Sequence, residues 1–349
     1  MIFLERVRCR VLRSKRVWSK CDNQCVCCVH KESGQSVTIM IDLTQVRCLT
    51  FGGVGFLGGL QIGCIKYFEE AGIINQIDTF VGSSSGSIVS LGVILGLSSH
   101  DMICVFKNMQ LPELNCIDQV FETRGFDDGS FLFSMVQDIL SYRSFPCNTT
   151  FADLRTRTGK DLVVNVVNLT DNILDSFSFD SHPDMEVRLA IRMSCALPII
   201  FTPVTFEGKI YIDGCCYKGV HVPKHVEEKL RRGDCGKNLI LRINNIMNIP
   251  DEKYGDDFIS FIIRVANSFA LFAYREMDNL LSHEVSACTT IIVDLNMEPG
   301  FVLEDIVTFD RNDVESLVAR GYDTIRRNIA PLTTIEDSEG KVENDECDS

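Results

Sequence analysis

No apolar run in the chain reaches the roughly 18 to 20 residues that a helix needs to span a bilayer. The nearest approach, Phe258 to Leu281, contains Arg264, Asn267 and Ser268 on one face, so it reads as a long amphipathic helix that covers the core or shelters an acyl chain. Positive charge is scarce as well. Against 48 Asp and Glu stand 34 Lys and Arg, a net charge of -14, which argues against nucleic acid or another polyanion as the main partner. The early basic stretch LERVRCRVLRSKRVWSK has no uninterrupted apolar segment, because Arg6, Arg8, Arg10 and Arg13 break it, so no secretory signal is expected. The 16 cysteines are accordingly expected as free thiols in a reducing compartment, the cytoplasm, with peripheral contact to membranes left open. Cys21, Cys25, Cys27, Cys28 and His30 would be enough ligands for zinc, but no second spaced pair follows them; scattered thiols, with no metal and no cofactor, is the expectation.

What is present is enough apolar material, 45% of residues, for a sizeable core. The chain divides into a basic, cysteine-containing extension at 1–44, a main domain at 45–300, a helical segment at 301–335 and an acidic tail at 336–349 expected to be solvated. VRCLTF (46–51) reads as a short buried strand, LQIGCIKYFEEAGI as a helix that Gly72 ends, IDTFVG (77–82) as a second strand, and SSSGSIVSLGVILGL as a helix buried on nearly every side. That alternation predicts an α/β fold with a parallel sheet covered on both faces. Residues 98–155 read as a helical insertion. Strand signals return in DLVVNVVNL, DSFSFD, IIFTPVTF, KIYIDG, NLILRIN and TTIIVDL, and NDVESLVARGYDTIRRNI reads as a last helix capped by Asn312 or Asp313.

Two glycine-rich segments carry chemistry. GVGFLG (53–58) matches the dinucleotide fingerprint after a strand and before a helix, but the next strand lacks the terminal acid that would hold a ribose, Asp78 standing at its beginning instead. GSSSG (Gly82 to Gly86) is the pattern of a nucleophile elbow centred on Ser84. Glycines two residues to either side let strand and helix pack without a Cβ between them, and the helix N-terminus supplies positive potential. With the first loop beside Ser84, its amides could face an oxygen that becomes negative when an ester is attacked. Asp213 in KIYIDGCC is the conspicuous candidate base, although an ordinary turn aspartate fits the same pattern. At an unperturbed pKa of about 3.9 it is a poor base, so burial near Ser84 would have to raise it. His221, His225 and His283 follow Asp213 in the order that a full triad on an α/β-hydrolase fold requires, which keeps that alternative open.

The blocks FGGVGFLGGLQIGCIKYFEEAG, VGSSSGSIVS and YIDGC, with FADLRTRTGKDLVV and AIRMSCALPIIFTPV between them, resemble the patatin-like phospholipase family in order and spacing over about residues 46–296. The resemblance implies a three-layer α/β fold with a mostly parallel central sheet flanked by helices. It also implies a lipid acyl hydrolase that works through a Ser-Asp dyad, without histidine, metal or cofactor. Carried across by motif, Ser84 is the nucleophile, Asp213 the base, and the amides of Gly53, Val54 and Gly55 the oxyanion hole; Gly82 and Gly86 shape the elbow and Gly214 the aspartate turn. The implied partner is a lipid substrate at a membrane or lipid-droplet surface. Two positions depart from the pattern: Leu57 stands where many members carry a basic residue, and Cys215 where Gly or Ala usually follows the aspartate-glycine pair. A modest change in loop geometry is expected from Cys215. A catalytically silent protein that keeps the fold to bind lipid or a partner remains the rival reading.

Overall fold

The computed structural model describes residues 43–108, 117–217, 220–233, 236–244, 290–296 and 313–331, together with short strands at 19–21, 24–28 and 39–41 and residue 261. His30, His283, the tail at 336–349 and, apart from Phe261, the amphipathic helix read over 258–281 lie outside the described residues.

The principal sheet has eight strands: β1 (Val46–Phe51), β2 (Thr79–Ser83), β3 (Asp161–Asn168), β4 (Ile173–Ser178), β5 (Val204–Phe206), β6 (Lys209–Asp213), β7 (Lys237–Asn244) and β8 (Thr290–Asn296). They lie in the order β5-β6-β3-β2-β1-β7-β8, with β4 also paired to β3. From β3 to β8 every neighbouring pair along that order is parallel, while β4, β5 and β6 join antiparallel.

Side-chain parity shows why the central strands are apolar almost without interruption. Phe80, Leu162, Val164, Leu239 and Leu241 belong to one core cluster, while their chain neighbours Val81, Val163 and Ile240 belong to a second on the opposite face. Successive strand side chains point to opposite faces, so both faces are covered and the domain has three layers. The first face carries α1 (Gly58–Glu70), α2 (Ser85–Ile94), α3 (Ser99–Lys107), α5 (Ser130–Tyr142) and α6 (Phe151–Thr158), while α4 (Ile117–Thr123) leads into the short strand Gly125–Asp127. After α7 (Val187–Ser194), Val226 and Leu230 of α8 (Lys224–Arg232) close the second face. All ten residues of α2 are buried. Among the described residues no helix is long and apolar enough to cross a membrane.

The segment IIFTPVTF forms two strands instead of one. Pro203 has no N–H to give a ladder, and Ile199–Phe201 pairs with Gly125–Asp127 outside the principal sheet while Val204–Phe206 turns into β5. The last helix, α9 (Val314–Asn328), follows Asp313, whose side chain makes no capping bond. Beyond it Ile329–Pro331 pairs in parallel with Ile39–Ile41, which brings an early and a late segment together in a separate small sheet.

α9 packs on α1 backbone to backbone. A methyl group on Gly63 would stand 2.2 Å from the Val318 carbonyl oxygen, and one on Gly321 would stand 2.0 Å from that of Leu60. Neither neighbour is the end of a flexible side chain, so a larger residue must push the helices apart. Gly321→Ala is expected to destabilise the domain by about 1–3 kcal/mol, the usual cost of overpacking, read as a lower midpoint in urea denaturation with an unchanged slope.

Candidate active site

Strand pairing brings two distant residues together. β4 takes one edge of β3, so β2 and β6 must share the other. β2 runs parallel to β3 and ends where Ser83 pairs with Asn165; β6 runs antiparallel and ends where Asp213 pairs with Val166. The two strands therefore approach head-on and stop on adjacent rungs, which places Ser84 against Asp213.

Ser84 occupies the tip of the strand-to-helix turn at φ 52° and ψ -131°, a conformation that costs a non-glycine residue about 1–3 kcal/mol. The glycines around it are required by contact. A methyl on Gly82 would lie 2.5 Å from the Ser87 Cα, and one on Gly86 would lie 2.6 Å from the Phe51 carbonyl oxygen. The strained turn is held from α7: the Ser84 N–H donates to Ser194 Oγ at 2.8 Å, and that hydroxyl donates to the Asn165 carbonyl at 2.6 Å. The same segment holds the aspartate turn, because the Asp213 N–H donates to the Ala196 carbonyl at 3.0 Å and the Gly214 N–H to the Ser194 carbonyl at 3.3 Å. Beneath them Asn165 donates to Ser83 Oγ and to the His221 carbonyl and accepts from Ser176 Oγ. Ser194 and Asn165 were not singled out as site residues in the sequence. The available signal was an Asn set among valines in DLVVNVVNL, since a buried amide needs partners.

The Asp213 carboxyl is 1% exposed, and burial raises its pKa from 3.8 to about 6, opposed by the Cys215 N–H and by polar contacts from the Ser84 hydroxyl and the Cys215 thiol. The Cys215 N–H reaches Asp213 Oδ1 at 2.8 Å. These contacts come from Ser84 and Cys215; His225 lies on α8 beside Asp180 and Lys229. Burial first, and the charge of Asp213 second, hold the thiols of Cys195, Cys215 and Cys216 well above their usual range, so all three stay protonated at neutral pH.

The glycine loop lies directly over this pair. A methyl on Gly53 would stand 2.2 Å from Cys215 Sγ and 2.7 Å from Ser84 Cβ, and Gly55 has φ 55°. Gln61 Nε2 pins the loop through the Gly52 carbonyl at 2.6 Å. Two of the amides expected to face an oxyanion rest on side chains: Gly53 N–H donates to Cys215 Sγ at 3.1 Å and Val54 N–H to Ser85 Oγ at 3.0 Å. Among the described residues no group of three or more His, Cys, Asp or Glu side chains is arranged to hold a metal. A cavity of about 520 Å³ opens between α3 and α5, and neither Ser84 nor Asp213 lines it.

The raised Asp213 pKa has a consequence for folding. A carboxyl that ionises near 6 when folded and near 3.8 when unfolded imposes no penalty below pH 4, and costs stability as pH rises from 4 through 6. Asp213→Asn removes that loss. Its melting temperature is expected to exceed that of the wild type above pH 7, by an amount equivalent to at most about 3 kcal/mol, with the difference shrinking toward pH 4.

A family model described as patatin-like phospholipase matches residues 49–222. The chain is 32% identical over 168 residues to the "Probable lipid hydrolase 463L" of Invertebrate iridescent virus 6, covering 46% of this chain and 55% of that protein. It is 29% identical over 181 residues to the uncharacterized protein R571 of Acanthamoeba polyphaga mimivirus, covering 50% and 59%. The chain thus spans little more than half the length of these relatives. Among solved structures, VipD from Legionella pneumophila aligns with a TM-score of 0.48 at 16% identity, over 93% of this chain and 71% of that one. The ExoU-SpcU complex from Pseudomonas aeruginosa aligns with a TM-score of 0.44 at 16% identity, over 93% and 59%. Through residues 49–222, which hold the glycine loop, Ser84 and Asp213 in one stretch, the chain belongs to the patatin-like phospholipase family.

Proposed function

We propose that the protein is a lipid acyl hydrolase that cleaves fatty-acyl esters of phospholipids or neutral glycerolipids with Ser84 as nucleophile and Asp213 as base. One observation carries the reading: a serine on a strained elbow faces a buried carboxyl whose pKa has been raised to about 6, where it is ionised at neutral pH yet basic enough to take a proton. Membership of the patatin-like phospholipase family and a viral relative named a probable lipid hydrolase agree with it.

In the proposed reaction Asp213 accepts the Ser84 hydroxyl proton as Oγ bonds to the ester carbonyl carbon. The carbonyl electron pair moves to its oxygen, which the loop amides of Gly53, Val54 and Gly55 receive, Gly53 lying against Ser84. Collapse breaks the bond to the alcohol oxygen, which leaves with the proton held by Asp213. Water then attacks the acyl-serine, giving its proton to Asp213, and the fatty acid departs as Ser84 recovers its hydrogen. The neighbouring thiols remain protonated and do not compete as nucleophiles. The substrate is met at a lipid surface, where the protein acts peripherally.

One observation favours a silent binding protein instead: Gly53 and Val54 amides already hold acceptors. These acceptors are neutral, and an oxyanion is the stronger partner. Purified protein is expected to release fatty acid from a glycerolipid, and Ser84→Ala to lose that activity; equal release by both would remove Ser84 from the mechanism. A folded wild type that a fluorophosphonate probe failed to label would support the silent reading. kcat/KM should fall about tenfold per pH unit below about pH 6, because only ionised Asp213 is a base. A rate independent of pH from 4 to 7 would exclude Asp213 from that role.

A further inference from the structure

We propose that Cys215 is a tethered stand-in for the oxyanion: its sulfur occupies the seat on the Gly53 amide at rest and must swing away before an ester carbonyl can be attacked there. The inference rests on the hydrolase reading above and concerns the same site. Gly53 N–H donates to Cys215 Sγ at 3.1 Å, and a methyl on Gly53 would stand 2.2 Å from that sulfur and 2.7 Å from Ser84 Cβ. Sulfur, amide and serine therefore share one small volume. A tetrahedral oxyanion needs its oxygen about 2.7–3.1 Å from the donor nitrogen. Such an oxygen and the sulfur cannot both lie on the line of this N–H, so the seat holds one at a time.

The residue cannot vacate the seat by moving its backbone, because its own N–H is fixed on Asp213 Oδ1 at 2.8 Å and Asp213 is paired into β6. Rotation of the Cys215 side chain is the remaining motion. A thiol sulfur is a weak acceptor, whereas a charged oxygen bonds about twice as strongly as a neutral one. The ground-state ester carbonyl gains little by displacing the sulfur; the developing oxyanion gains more. Displacement thus accompanies bond formation, and its cost appears in kcat and not in KM. A cysteine serving only as wall packing would instead affect stability.

The test compares wild type with Cys215→Ala, which keeps the backbone N–H to Asp213 but removes the sulfur and with it the thiol's contact to that carboxyl, and with Cys215→Ser, which keeps both an acceptor and a donor in place; all three are read on the plateau of their pH profiles, where Asp213 is ionised in each. On a soluble p-nitrophenyl acyl ester, Cys215→Ala should show kcat raised about three- to tenfold, the size of one modest hydrogen bond, with KM unchanged. Its phosphonylation at Ser84 by a fluorophosphonate should accelerate in step, since the phosphoryl oxygen takes the same seat. Cys215→Ser should stay near the wild type. Equal or slower turnover and labelling in Cys215→Ala would overturn the proposal, as would equal acceleration in both variants. Ser84→Ala keeps the two failures apart: residual activity there sinks the hydrolase reading itself, while an inactive Ser84→Ala beside a Cys215→Ala no faster than wild type sinks only the role of Cys215.

Discussion

The arrangement depends on one edge of one strand. β3 offers that edge to two partners of opposite direction, and the change from parallel to antiparallel pairing between Asn165 and Val166 is where Ser84 and Asp213 meet. No loop has to reach across the molecule to assemble the pair. Ladder pairing positions Asp213 and Ser83, the residue before Ser84, and a shift of one residue in either register would turn the side chains to the other face. Ser194 and Ala196 then lock the junction from above, with side chain and main chain of one short segment holding the serine turn and the aspartate turn together.

Close approach is what makes the junction work, and it explains the glycines better than chain flexibility does. Gly82 and Gly86 let the elbow press against Ser87 and Phe51, and Gly53 lets the loop lie on Ser84. Of Gly53, Gly55, Gly82 and Gly86, Gly55 alone, at φ 55°, has a backbone conformation that itself favours glycine. Ser84 is the exception that bears the strain, and it keeps a side chain because the side chain is the point. The stability lost there and at the buried carboxyl must be made up elsewhere, in the two apolar faces of the sheet and in the close packing of α1 on α9.

Much of this was legible in the sequence because it is local. The buried strands at 46–51, 79–83 and 161–168 are short, mostly apolar runs, the elbow is a pentapeptide, and the order of strand and helix implies a parallel sheet. What was hidden depends on contacts between segments far apart. Nothing within KIYID states that it runs antiparallel to β3, and nothing near Ser194 or Asn165 states which backbone groups they would satisfy. IIFTPVTF reads as one strand by its apolar residues, and the break at Pro203 inside it went unread. Cys215 was visible as an odd residue after the aspartate turn; its contact with the amide of Gly53 is a property of the fold alone.

The groups that act on the Asp213 carboxyl are Ser84 and Cys215, and burial explains how a carboxyl so placed can serve where an imidazole is more usual. Histidine suits general base work because its ordinary pKa, about 6.5, lies near neutrality. Removing Asp213 from water brings a carboxyl from 3.8 to about 6, nearly the same value. A histidine base needs a further residue to fix its ring and tautomer. A carboxylate has no tautomer to select, and here its orientation is set by the pairing of β6 and by the Cys215 N–H. On the proposed reading a two-residue site is a consequence of desolvation: burying an aspartate this deeply gives it the basicity for which other sites recruit a third residue.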